Sequence, residues 1–348
     1  MESQASQKPP PKGSSNVWKQ LAAAVFGIVL LWLSFRNCDF AKLWEVAKNA
    51  NPIFLLLVCI SAIISHILRA WRWIFLLKPL REKKVGLWNS FCAVIIGYAV
   101  NIAIPRGGEV ARVISISKSE DLPWMGVLPT MFIDRLLDIA VLGALLGLTL
   151  TQLPKEVVAQ SPLLVPGGIA ITICSIIGLA ALPFISSVMN WILRHPLAKS
   201  LPEKIRELIE KLSAQFAVGT KSLKDLAVYP IIAVLTFAIW FFYWLNFYII
   251  AFALGLNTQM NPMQCLVVFT VGSVGVLIPT PGGVGSFHFL VSQAMQFTCG
   301  LDQNTALAYA TVLHFMCFIV AVCVPALICW LIQQFVLKKK PGSAKKEA

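Results

Sequence analysis

Asp134, Arg135 and Asp138 stand mid-way along the otherwise apolar run 124–151, in Met131-Phe132-Ile133-Asp134-Arg135-Leu136-Leu137-Asp138. An ionised group at the centre of a bilayer costs about 2.5 to 3.5 kcal/mol, so three without partners would cost on the order of 8 to 10 kcal/mol. They need partners. Asp134 and Asp138 are four apart and share a helix face, with Arg135 adjacent. The nearest opposite charges lie in Pro105-Arg106-Gly107-Gly108-Glu109-Val110-Ala111-Arg112. A Glu109/Arg135 and Arg112/Asp138 network is the expected pairing. Such a network can be purely structural, since a buried ion pair is often neutral for stability. It can also present the guanidinium fork of Arg106, Arg112 or Arg135 to a phosphate, with Glu109, Asp134 and Asp138 orienting the forks and balancing charge.

Two glycine-rich turns accompany these charges. Gly107 and Gly108 permit a tight bend and close backbone approach, and the free amides of the helix that follows favour an anion. The second turn reads Pro279-Thr280-Pro281-Gly282-Gly283-Val284-Gly285-Ser286-Phe287-His288. Pro281, Gly282, Gly283 and Gly285 would let backbone amides line a cavity. His288 lies on the returning half-helix and His314 on the last helix. They are hydrogen-bonded structural residues or, as a pair, a proton relay or counter-charge for an acidic ligand. Two histidines without a third ligand do not make a zinc site, and neither metal nor cofactor is expected. His66 and His195 carry no usable signal.

The elements that must position these residues belong to a membrane. Of 348 residues, 57% are hydrophobic and 13% charged, with a mean hydropathy of +0.75, which excludes a soluble globule. The net charge of +13 would suit a nucleic acid if it formed one patch. Instead the basic residues flank apolar runs, at the N-terminus, in 69–84, in 194–224 and from Lys338 onward. That is the positive-inside signature, and no nucleic-acid partner is expected. Seven of the nine cysteines lie inside apolar segments and read as small buried hydrophobes.

Apolar helices are readable at 18–35, 53–77, 87–104, 124–151, 163–192, 230–254, 263–278, 285–299 and 305–336. If each long one spans once, the seven basic residues between Arg194 and Lys224 fall opposite the basic N-terminus. If 87–118 is instead a re-entrant hairpin turning at Pro105, Gly107 and Gly108, loops with six, seven and five basic residues all fall inside. A second hairpin, 263–299, then enters from the other face. The long helix, the turn and the next long helix start near 53, 105 and 124, then near 231, 281 and 305, which describes an inverted repeat.

The expected fold is an all-α polytopic bundle of about six spanning helices plus two opposed re-entrant hairpins. Residues 1–16 are expected to be a disordered cytoplasmic arm, 17–337 one membrane domain (repeats 18–151 and 163–336), and 338–348 a basic tail, with both termini cytoplasmic. The linker 194–228 is too polar to span. Its Ile205, Leu208, Ile209, Leu212 and Phe216 form one stripe of an interfacial helix, with Ser200 and Glu203 as a capping box. That helix is an anchor or a surface for a membrane-enzyme partner. Phe40, Leu43, Trp44 and Ala47 suggest a second interfacial helix, outside.

Three motifs resemble the flippase-like membrane domain of lysylphosphatidylglycerol synthases and its stand-alone relatives. Gly108, Glu109 and Arg112 match a Gly-Glu-x-x-Arg stretch. Asp134, Arg135 and Asp138 match a Glu-Arg-x-x-Asp helix, with Asp where Glu is usual. Pro281, Gly282, Gly283 and Gly285 match a Pro-Gly-Gly-x-Gly turn, followed by His288 where an acidic residue is common; His314 stands near a usual basic position. The resemblance implies a lipid-handling protein of the bacterial-type inner membrane that moves an anionic or lipid-linked amphiphile between leaflets. Only twelve residues follow Val336, so aminoacyl transfer is not expected. The competing expectations are an intramembrane lipid-modifying enzyme using Glu109 or His288 as acid or base, and an accessory subunit of a lipid synthase.

Overall fold

A computed structural model describes residues 14–80, 84–104, 107–150, 164–181, 184–194, 203–220 and 226–338, and every regular element among them is helical. Helix α1 (Ser14–Phe35) turns through 88° into α2 (Phe40–Lys48). Asp39 makes the corner, its carboxylate accepting from the Ala41 and Lys42 amides and capping the new helix. Helix α3 (Pro52–Leu77) starts at a proline behind Asn51, whose side chain accepts from the Ile53 amide at 3.0 Å.

The first hairpin consists of α4 (Leu87–Ala103) and α5 (Gly107–Glu120). At 1.5 Å per residue these are about 26 and 21 Å long, each short of a ~30 Å hydrocarbon core. Glu120 closes the base by accepting from the Gly86 amide at 2.9 Å and the Asn89 side chain at 2.7 Å. Gly97 and Gly108 let the two backbones touch, because a Cβ on Gly108 would overlap the Gly97 carbonyl oxygen. Helix α6 (Trp124–Leu150) follows and carries the three mid-membrane ions.

The run 163–192, expected as one helix, is described as α7 (Leu164–Ala181) and α8 (Ile185–Arg194), with Pro183 in the sequence between them. Helix α9 (Glu203–Gly219) is the expected amphipathic helix: Ile205 and Leu208 are exposed, and its far end packs on Gly126 at the start of α6. Ser200 of the expected capping box, residues 1–13 of the arm, the loop 152–162 and the tail from 339 lie outside the described residues.

Helix α10 (Tyr229–Ala253) leads into the second hairpin, α11 (Pro262–Leu277) and α12 (Ser286–Cys299), and then into α13 (Gln303–His314). A π-helical stretch, Phe315–Cys323, joins α13 to α14 (Val324–Lys338). Pro325 explains that stretch. It lacks an N–H and would clash one α-turn back, and wider winding just before it absorbs the misfit. The Gln264 side chain donates to the Thr298 carbonyl at 2.6 Å and ties the base of the second hairpin.

The Asn51 amide donates to the Ala253 carbonyl at 2.7 Å, so α3 begins where α10 ends and the two run antiparallel. Hairpin one hangs from the far end of α3 and hairpin two from the far end of α10, so they open in opposite directions. Their tips meet, because a Cβ on Gly282 would lie 3.4 Å from the Ile102 Cα. The order long helix, hairpin, long helix thus recurs inverted. Helix α1 stands outside that recurrence and presses Gly27 against the backbone at Gly285, where φ is +89°. By length and apolarity the described residues hold three candidate spans, at 52–80, 229–253 and 303–333, or four with the bent α1–α2 pair. Helix α6 is long enough, but its ions set it apart from that group.

Candidate functional site

Asp134 is fully buried and is the hub of the mid-membrane charges. Arg72 grips it with two nitrogens at 2.7 and 3.0 Å, Arg112 donates at 2.9 Å, and Arg69 reaches it at 3.2 Å. One turn along α6, Asp138 takes Arg69 at 2.7 Å and Arg72 at 2.8 Å. The match is geometric, because residues three apart on α3 face carboxylates four apart on α6. Remaining donors reach α10: Arg72 bonds the Thr236 hydroxyl and Arg69 the Tyr243 hydroxyl, both at 3.0 Å. Arg112 lies 3.9 Å over the Trp73 ring, a cation–π contact, and Trp73 is in turn held by Thr130.

The structure corrects the expected pairing in one respect. Glu109 and Arg135 do meet, at 3.1 Å. Arg112 goes to Asp134 instead of Asp138, which is paired with Arg69 and Arg72. Those two arginines are the residues the sequence reasoning missed. They were counted with the basic flank 69–84, but they lie inside α3 at 3% and 0% exposure. Their signal was available: two charges three apart within an apolar helix need buried partners as much as Asp134 does.

Among the described residues, four guanidinium groups therefore meet three carboxylates, an excess of one formal positive charge in the membrane interior. Beside them a cavity of about 390 Å³ lies between the hairpin tips, walled by Arg69, Glu109, Arg135 and Asp138 on one side and Thr280, Gly282 and Gly283 on the other. Arg135 and Glu109 are the most open of the ions, with side chains 33% and 25% exposed. Arg72, Arg112 and Asp134 lie behind the wall. Gly107 and Gly108 are likewise absent from it, Gly108 serving hairpin packing, and Arg106 lies outside the described residues. The family model of the lysylphosphatidylglycerol synthase TM region matches residues 20–324. The chain belongs to that family.

Among known proteins the chain is similar to the UPF0104 membrane protein MJ1595 of Methanocaldococcus jannaschii, 29% identical over 119 residues, 33% of this chain and 34% of that one. It is also similar to glycosyltransferase AglD of Haloferax volcanii, 19% identical over 321 residues, 84% of this chain and 51% of that one. The chain thus spans about a third and about half of the lengths of these curated relatives. No solved structure matches.

In this member of the lysylphosphatidylglycerol synthase TM region family the two histidines sit behind the second turn, not in the cavity wall. Their rings are 4.8 Å apart, and His314 stacks on Phe318 at 4.7 Å. His314 Nε2 lies 2.9 Å from the Gly282 carbonyl, so the pair buttresses the turn whose glycines face the cavity. Gly285 and Pro281 shape that turn without lining the space, Gly285 being taken up by α1. Gly282, Gly283 and Gly285 hold φ of +59°, +73° and +89°, values that side-chain-bearing residues avoid.

Proposed function

We propose that this protein moves an anionic amphiphile of the phospholipid, polyprenyl-phosphate or glycolipid class between membrane leaflets, its headgroup entering the cavity between the opposed hairpins. One observation carries this proposal: a cavity at the meeting of two half-membrane hairpins, walled by a guanidinium–carboxylate cluster with one excess positive charge. Arg135 is the anchor for the headgroup, since it is the arginine most open to the space. Arg69, Arg72, Arg112, Asp134 and Asp138 form the rigid frame behind it. Membership in a family named for a lipid synthase supports a lipid ligand, as does similarity to a membrane protein and a glycosyltransferase. We place the protein in the cytoplasmic membrane with α9 and both termini on the cytoplasmic side, following the positive-inside rule.

The similarity to AglD keeps an enzyme as the second reading, with Glu109 as the acid or base at the cavity. Purified protein in vesicles separates the readings. Leaflet exchange of labelled phosphatidylglycerol supports transport, altered lipid mass supports an enzyme, and neither outcome favours an accessory subunit. Arg135→Ala is expected to slow exchange about tenfold or more, the loss of a charge-assisted hydrogen bond, and Arg135→Lys less, since charge is kept while the fork is lost. Equal rates in all three forms would sink the headgroup role.

A further inference from the structure

The ion-walled cavity borders a second space on its aromatic side. Trp240 and Phe269 in its wall are also walls of that space, a groove of about 500 Å³ between α6, α10 and α11. On α6 the groove is bounded by Leu137, Val141 and Leu145, a stripe spaced by four that begins next to Asp138. On α10 it runs along Phe237, Trp240, Phe241 and Trp244. Phe237 and Phe241 are 75% and 43% exposed, so the groove's outer rim faces the bilayer. Thr236, which holds Arg72, also lines it. The groove therefore shares one wall with the ion cluster and opens on hydrocarbon at the other.

We infer that this groove holds a hydrocarbon chain of the same amphiphile whose anionic head sits beside Arg135, with Trp240 at the junction of head and chain. The inference rests on the transport reading for the identity of the head. Adjacency across Trp240 and Phe269 selects the occupant: a ligand that reaches both spaces around these rings has to be charged at one end and apolar at the other. The junction residue fits that order of groups. Trp240 borders both spaces, and a ring with an apolar body and a polar edge suits the boundary between head and chain. Transfer of a chain from lipid into an apolar groove brings no hydrophobic gain, because lipid tails are already apolar. The groove instead lets the head reach the cavity while the chain stays in hydrocarbon, so that no chain crosses the ion cluster.

The test uses the full chain in vesicles containing phosphatidylglycerol with a photoreactive diazirine in one acyl chain, and the variants Ala233→Trp and Val234→Trp. Ala233 lines the groove. Val234 is its 66% exposed neighbour on the lipid side. Both changes add an indole to a lipid-facing position and leave the core untouched. Illumination is expected to mark the 137–145 stretch of α6 in the wild type and in Val234→Trp, and at least tenfold less in Ala233→Trp. Leaflet exchange should fall at least tenfold in Ala233→Trp and stay within twofold in Val234→Trp. Absence of adducts on 137–145, or equal adducts in both variants, would overturn the groove assignment even if exchange occurs. Groove adducts without any exchange would uphold the groove and sink the transport reading instead.

Discussion

Asp134→Asn keeps the shape of the hub and removes its charge. Three guanidinium groups lose their shared partner, but not equally. Arg69 and Arg72 retain Asp138 at 2.7 and 2.8 Å, whereas Arg112 is left with the Trp73 face, its Nε and Nη2 already without acceptors. Removing one member of a buried ion pair costs about 3 to 5 kcal/mol, against a typical total of about 5 to 15 kcal/mol. At about 1.4 °C per kcal/mol for a chain of this length, the melting temperature should fall by about 4 to 7 °C. Tryptophan fluorescence during heating of the detergent-purified protein reads that fall. Asp134→Glu keeps the charge at the expense of one extra methylene and should lose less. The pair Asp134→Asn with Arg112→Gln should lose less than the two single changes added together, because the second removes the charge that the first strands. A shift under 2 °C for Asp134→Asn, or strict additivity of the pair, would refute the assignment of Asp134 as the hub.

Gly108→Ala would drive a methyl group into the Gly97 carbonyl and the Asn101 side chain. It should destabilise hairpin one by about 1 to 3 kcal/mol, and unchanged melting would refute the tight backbone contact. His314→Ala removes the partner of the half-buried Gly282 carbonyl and should cost about 0.5 to 1.5 kcal/mol in stability while exchange stays above half. Lost exchange with unchanged melting would make His314 a ligand contact after all. An impermeant thiol reagent should label Arg206→Cys, on α9, only from the cytoplasmic side, and labelling from outside would reverse the proposed orientation.

Much of the architecture was readable because proline and glycine punctuate apolar runs. Three of the four hairpin helices begin and end within one residue of their expected bounds, while α5 runs to Glu120, two residues past the expected end at 118; the clash-prone contacts at Gly108 and Gly285 explain why those turns need glycine. Arg69 and Arg72 escaped because positive residues near the end of an apolar run look alike whether they flank the membrane or penetrate it. Only the paired spacing on α3 and α6 distinguishes the two cases. His288 and His314 were readable as a pair, but not their direction. Which side of a helix meets a cavity depends on groups brought from elsewhere in the chain, here Phe35 of α1 beside His288 and the Gly282 carbonyl beside His314. The π-helical stretch had a visible cause in Pro325, yet a proline in a helix can equally produce a kink.

The two-nitrogen grip of Arg72 on Asp134 Oδ1 joins residues 62 positions apart, and that separation has a consequence for how the chain is made. At about 5 to 20 residues per second, α3 emerges some 3 to 12 seconds before its counter-charges exist. During that interval two arginines would have to sit unpaired in lipid. Standing alone in the bilayer, α3 carries a penalty of about 5 to 7 kcal/mol for its two arginines, which its apolar residues have to outweigh. Pairing with α6 relieves that penalty, so the arrival of α6 favours burying the two helices as one neutralised unit.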